Sequence, residues 1–253
     1  MKRITIAISF ILLAINIAAN TISVVPGSNA VYNAIRQAQA GDVLVLAEGE
    51  YQESNKLTIN KQLTIQAAEG AQPIIRMASR IEASASLTLQ GVELIANSTG
   101  EAIRMVPGSE PYTVAVKSCT LQGFNSKTIR AYNTDQTAPY VESLIIDDCI
   151  FRPAAGRVLE ASVAEKQVAN LSITRSTFDG GNAGAGRLIY FLSTEGTTVE
   201  SAIIDHCTFY NAQDTRGVYL GNVDGAQVSN CIFMNPEYNA DYKSYCVYGK
   251  NTL

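Results

Sequence analysis

Lys127, Arg157, Arg187 and Arg216 recur at intervals of 30, 30 and 29 residues. A second set, Arg104, Arg130, Glu160, Tyr190, Tyr219 and Tyr248, recurs beside them. Guanidinium forks match carboxylates and sulfates, and tyrosine rings stack on sugar faces. The chemistry open to these residues is recognition of an acidic polysaccharide. At roughly 0.5–1 kcal/mol per exposed contact, four or five cations supply enough for about millimolar binding of a polyanion. The structural reading of the same residues is that Arg and Tyr suit exposed strand positions and stack on their neighbours. Other polar residues carry weaker signals. His206 is the single histidine and sits beside Asp205 in a turn. No His/Cys cluster has metal-ligand spacing, and Asp147-Asp148 is at most a partial calcium site. The glycine-rich run from Asp179 to Gly186 lacks the Lys-Ser/Thr pair and the helix of a phosphate loop, so it reads as a turn leading into Arg187.

The spacing of the basic residues belongs to a repeat. Leu87-Thr-Leu-Gln-Gly-Val92-Glu-Leu94 aligns with Val114 to Leu121, Leu144 to Phe151, Leu171 to Phe178, Ala202 to Phe209 and Ala226 to Phe233. Leu63-Thr-Ile65 is a degenerate earlier copy. Successive copies lie 27, 30, 27, 31 and 24 residues apart between Val92 and Cys231, and every position expected to be buried is apolar except Ser176. Periods of this size mark a solenoid, propeller or array. Each copy also carries an earlier alternating pair: Ile103/Met105, Ile129/Ala131, Leu159/Ala161, Ile189/Phe191, Val218/Leu220, and finally Val247. Period-two alternation is the signature of a half-buried strand, so each repeat holds three short strands. The polar pairs Asp147-Asp148, Asp205-His206 and Ser229-Asn230 suit a tight turn that reverses the inward–outward phase. Three strands per coil, with coils about 4.8 Å apart, predict an all-β fold: a parallel β-helix of about seven coils. The five cysteines are expected to form a core ladder of buried free thiols. Parallel neighbours hold their Cβ atoms about 4.8 Å apart, further than the ~3.8 Å of a disulfide.

The 253 residues are 47% hydrophobic and 17% charged, with a formal charge of −4 and pI near 5.1. This balance excludes a disordered chain and a general nucleic-acid binder. Lys2-Arg3, the apolar run Ile4–Ala19 and small Ala18-Ala19 read as a secretory signal over residues 1–19, and its removal leaves no membrane span. Residues 20–62 form a cap and first coil. In it Ser28 or Asn29 caps a helix with Val31, Ile35 and Ala38 on one face and Gly41 at its end, shielding the first strand edges. Residues 63–253 form the β-helix. The chain stops barely into a new coil, so that edge is expected to need a packing partner or a missing C-terminal part.

The segment Val31 to Tyr51 followed by Leu63-Thr-Ile65 resembles the opening of right-handed β-helix polysaccharide lyases. It is most similar to the family of chondroitinase B and the alginate lyases, whose coils also resemble Ile204 to Phe209. It equally resembles secreted Bacteroidetes β-helix proteins of unknown function. The resemblance implies export to the periplasm, cell surface or exterior of a Gram-negative bacterium, with substrate lying along the outer face of the first strand of each coil. The substrate-binding residues are then Arg104, Lys127, Arg130, Arg157, Arg187, Tyr190, Arg216, Tyr219 and Tyr248. It also implies a lysine base, matched by Lys250 in Tyr245-Cys-Val-Tyr-Gly-Lys250-Asn251. The family's calcium ligands fall near Lys243 and Tyr245, neither of which binds calcium, so no cofactor is evident. The leading expectation is an exported protein that engages acidic polysaccharide without a complete active site. The rivals are a lyase acting by β-elimination and a structural or adhesive surface protein.

Overall fold

The computed structural model describes residues 19–131, 141–161, 168–180, 188–192, 199–211, 216–234 and 245–250, with only the backbone of Arg216, Tyr245 and Lys250. The segment expected to be a secretory signal lies outside the described residues except for Ala19, as do Arg187 and Lys243. Three parallel sheets of nine, eight and eight strands run the length of a single solenoid. The count of about seven coils is slightly off. The repeat alignment passes over strands near the N-terminus, such as Val43–Leu46, Glu50–Glu53 and Leu57–Ile59, which lack the Cys and Phe marks of later copies.

The three expected strand positions each become a sheet. The L-x-I strands stack as Leu63–Ala67, Leu87–Gln90, Tyr112–Lys117, Val141–Asp147, Val168–Thr174, Val199–Asp205 and Val223–Ser229. The C-x-F sheet places Leu94, Leu121, Phe151, Phe178, Phe209 and Phe233 in one register line. The first-strand sheet holds Leu57–Ile59, Ile81–Ala83, Ile103–Met105, Lys127–Ala131, Arg157–Ala161, Ile189–Leu192, Arg216–Gly221 and Tyr245–Lys250.

Side chains of like position therefore meet in the core. Phe151, Phe178 and Phe209 stack at 5.0 Å between centroids with rings 8–10° from parallel, and Phe209 meets Phe233 at 4.7 Å. The spacing is that of the backbone ladder, so offset stacking follows without a rotamer cost. Cys119, Cys149 and Cys207 are buried in the ladder and Cys231 is half-buried. Ser176 takes the remaining rung. It is 1% exposed, and its hydroxyl donates to Thr174 O while accepting from Cys149 N. A hydroxyl is tolerated there because both of its roles are filled. The fifth cysteine departs from the expectation: Cys246 is exposed, one residue before Val247 and of opposite parity. Val247 is in register with buried Val218 but is itself 38% exposed on the last described rung.

The phase-reversing turn is built on one left-handed residue per coil. Ser118, Asp148, Arg175, His206 and Asn230 have φ between 49° and 53°. The backbone N–H of each of the first four donates to the carbonyl at the end of the next coil's strand, as in Asp148 N to Thr174 O at 3.1 Å. Asp, Asn and His enter this region readily, whereas Ser and Arg do so less often. Side chains join the corner across coils. Thr174 donates to Asp147 at 2.6 Å, and Ser229 and Asn230 donate to Asp205 at 2.7 and 2.8 Å.

The cap differs in detail from the sequence reading. The helix spans Ala30–Gln37, with Val31, Ala34 and Ile35 buried, and Asn29 occupies the N-cap position. Asn29 is left-handed and makes no side-chain cap bond; its Oδ1 accepts from Ser54 N instead. The free N–H groups of the first turn are taken by Glu53, which accepts from Val31 at 2.8 Å and Tyr32 at 3.2 Å. The helix ends on extended Ala38 rather than at Gly41, which forms the next turn with φ 91°. An additional strand, Thr21–Val24, closes the L-x-I sheet at this end by pairing with Val43–Leu46.

Two measurements check this account. Phe178→Ala leaves a gap between two stacked rings and is expected to lower stability by about 3–5 kcal/mol in urea denaturation. Three donors, Ser229, His206 and Asn230, hold the Asp205 carboxyl down to about 2, below its ordinary 3.8. A depressed native value stabilises the fold above the unfolded value and loses that effect as pH falls toward the native one. Asp205→Asn is therefore expected to lower the urea midpoint at pH 7, with the difference from wild type shrinking between pH 4 and pH 2.

Candidate functional site: the outer face of the first-strand sheet

The outward residues of the first-strand sheet form two adjacent rows. In the first, Thr58, Glu82, Arg104, Arg130, Glu160, Tyr190, Tyr219 and Tyr248 follow one another in register. The second contains Lys127 paired with Arg157, and Arg216 paired with Tyr245. Two residues before each inward anchor, this row also includes Glu101, an acid that precedes Ile103 as Lys127 precedes Ile129. The turn that delivers Arg157 requires glycine at 156: φ is 82°, and a Cβ there would lie 1.9 Å from Ser126 O.

The rows are not a bare cationic stripe. Glu82 bonds to Lys56 at 2.5 Å and to Arg80 at 3.3 Å. Glu101 meets Arg104 at 2.6 Å, Arg130 at 3.6 Å and Arg80 at 3.9 Å. Glu160 bridges Arg130 at 3.4 Å and Arg157. Glu160 is only 3% exposed, and such a burial is tolerated only with charged partners in place. Arg157 lies 4.0 Å over the Tyr190 ring, a cation–π contact worth about 1 kcal/mol. Tyr190 then meets Tyr219 at 5.0 Å, and Tyr219 meets Tyr248 at 4.9 Å.

This arrangement alters the expected division of labour. Tyr190 and Tyr219 are buried; Tyr190 has Arg157 over its ring and Tyr219 tilted by 45° beside it, and Tyr219 stacks on Tyr248. Neither can lie flat under a sugar ring as the sequence reading expected of them. Arg104, Arg130 and Arg157 keep part of their surface in solvent but already hold carboxylates. Lys127 is half-buried, and no ion pair to it occurs among the described residues. The side chains of Arg216 and Lys250 and all of Arg187 fall outside the described residues. The backbone places Lys250 opposite Gly221 in this same sheet. Sequence reasoning missed Glu82, Arg80 and Glu101. Extending the period of the second row back by one coil finds Glu101.

Residues 49–178 match a domain of unknown function, DUF4957. The chain belongs to that family. The match runs from the strand Glu50–Glu53 through Phe178, so it takes in Glu82, Glu101, Glu160 and their arginine partners. No curated protein matches the chain. Among solved structures, the alginate lyase AlyGC of family PL6 superimposes with a TM-score of 0.55 at 20% identity, and an arginine-to-alanine mutant of it with 0.60. Each comparison covers 93% of this chain and 40% of the lyase, so the chain spans two-fifths of the length of these enzymes. At that identity the likeness establishes the shared right-handed β-helix fold.

Glu160→Gln removes the anion while keeping its shape. It is expected to cost about 2–3 kcal/mol, the low end for breaking a buried pair because Arg157 keeps 31% of its side-chain surface in solvent. Urea denaturation beside Glu142→Gln, an exposed glutamate on the neighbouring sheet, separates this loss from a general charge effect.

Proposed function

We propose that this protein is exported and holds an acidic polysaccharide along the outer face of the first-strand sheet. The observation that carries the reading is the excess of cations there among the described residues. Lys56, Arg80, Arg104, Lys127, Arg130 and Arg157 stand against Glu82, Glu101 and Glu160, on one face of a chain whose formal charge is −4. The carboxylates fix the guanidinium groups in place. The parts of Arg104, Arg130 and Arg157 that stay in solvent are what meets the ligand. The tyrosines contribute edges and hydroxyls rather than open faces. Similarity to alginate lyases, together with the family resemblance of the cap, supports a uronate-containing polymer as the ligand class.

A second reading, cleavage by β-elimination with Lys250 as base, draws on the placement of Tyr245–Lys250 in this sheet. Elimination needs a group that neutralises the uronate carboxylate, a base for the C5 proton and an acid for the leaving oxygen. An ordinary lysine, near 10.4, needs neighbouring cations or burial to act as that base.

Affinity electrophoresis through alginate, polygalacturonate and a neutral glucan tests the binding reading. Retardation is expected in the acidic gels alone, with about millimolar affinity that weakens as salt rises. Replacing Arg157, Arg187 and Arg216 by Ala together is expected to abolish it, and unchanged retardation would overturn the proposal. Incubation of the same polymers with the protein, followed by ultraviolet absorbance of the unsaturated product, separates the second reading: growth abolished by Lys250→Ala marks a lyase.

A further inference from the structure

At the capped end of the molecule, a groove of about 320 Å³ opens between the helix and the first rungs of the solenoid, lined by Tyr32, Ile35, Arg36, Thr58, Asn60 and Lys61. We infer that it is a subsite for a single carboxylate-bearing sugar unit, marking the N-terminal end of the polysaccharide path. The inference rests on the function proposed above and extends it to the N-terminal end of the outward row, where Thr58 lines the groove.

Charge distinguishes this groove from the sheet. Arg80, Arg104, Arg130 and Arg157 are all engaged by Glu82, Glu101 or Glu160. Arg36 and Lys61 are in no ion pair among the described residues; Arg36 is exposed at the last turn of the helix, its guanidinium 5.7 Å from the Tyr32 ring. The two buried carboxylates of the cap form no ion pair with them, and the charge of Asp42 acts on Lys61 only as a minor influence. Glu53 holds the N–H groups of Val31 and Tyr32. Asp42 holds those of Gln39 at 2.7 Å and Asn20 at 2.9 Å, bonds that lower its pKa more than the charge of Lys61 does. Two cations thus face one groove with the cap's buried anions committed elsewhere.

The remaining lining suits a sugar better than a bare anion. Thr58, Asn60 and the Tyr32 hydroxyl offer donors and acceptors for ring hydroxyls, while Ile35 and the body of Tyr32 give an apolar wall for a C–H face. The volume lies at the lower end of small-molecule sites, room for one sugar unit and not for a chain. Thr58 is also the first residue of the outward row that continues through Glu82 to Arg104 and Arg130. A polymer lying along that row would bring its end unit to the groove. The planar guanidinium of Arg36 matches a carboxylate in two-point contact, and Lys61 adds a point charge.

The test uses the full chain, with galacturonate and glucose as monosaccharide probes and polygalacturonate as polymer. In amide NMR titrations, galacturonate is expected to shift the resonances of Asn60 and Lys61, with glucose leaving them in place. The double variant Arg36→Gln/Lys61→Gln, at one exposed and one half-buried position, is expected to fold as wild type does, lose those shifts and bind the polymer about fivefold to tenfold more weakly. Polymer binding undiminished in the double variant, with Asn60 and Lys61 unmoved, would overturn the subsite while leaving the sheet-face function standing. Polymer binding lost in the double variant but kept in Arg157→Ala/Arg187→Ala/Arg216→Ala would support the subsite and overturn the sheet path. Shifts from galacturonate without any polymer binding would also support the groove alone, and silence from every probe would overturn both.

Discussion

Parallel backbone hydrogen bonding holds successive coils about 4.8 Å apart, so every side chain must accept a neighbour of its own position at that distance. Apolar residues meet the demand by contact, and aromatic rings by offset stacking, as the 5.0 Å Phe151–Phe178–Phe209 column does. Charges cannot, because like charges in register repel. Arg104 and Arg130 are nevertheless register neighbours. They coexist because Glu101 reaches both, and Arg130 finds a second acid in Glu160 one coil further on. The ion-pair lattice of the outer face is a consequence of the ladder before it is anything else.

That origin explains how the face can bind and how it cannot. A row of arginines pinned by buried carboxylates is rigid, so it loses little side-chain freedom on meeting a ligand. It is also partly neutralised, so each contact is weak and affinity must accumulate over several rungs. The same spacing closes the tyrosine faces: Tyr219 fits between Tyr190 and Tyr248 because a ring is thin enough for the ladder, and the fit leaves no opening for a sugar. Cations free of the lattice sit where the ladder begins, beside the helix, and there the groove can be polar without repelling its own neighbours.

The ladder is also what made the fold legible in the sequence. Leu, Ile, Cys and Phe recurring at the same place in each copy can be read directly, as can the outward parity of Arg104, Arg130 and Glu160. Features that depend on one coil reaching another were not legible. Glu53 caps a helix that begins more than twenty residues earlier, and no local capping signal announces a donor across the turn. Glu101 breaks the basic pattern of its row, so the pattern does not announce it. Residue type alone places Cys246 in the ladder, whereas its parity against Val247 places it outside.

The same division between inward and outward positions bears on what a likeness to other β-helices means. Inward residues are constrained by the ladder in every protein of this architecture, so a likeness at 20% identity over 93% of the chain speaks for the fold. Outward rows carry no such demand beyond charge compatibility between rungs, and activity resides in grafted sites rather than in the fold. A lysine, an arginine or a groove on that surface therefore has to be judged on its own neighbours. By that measure, Arg104, Arg130 and Arg157 are anchored recognition groups already partly satisfied by carboxylates, whereas Arg36 and Lys61 face a cavity with the cap's acids held by backbone N–H groups.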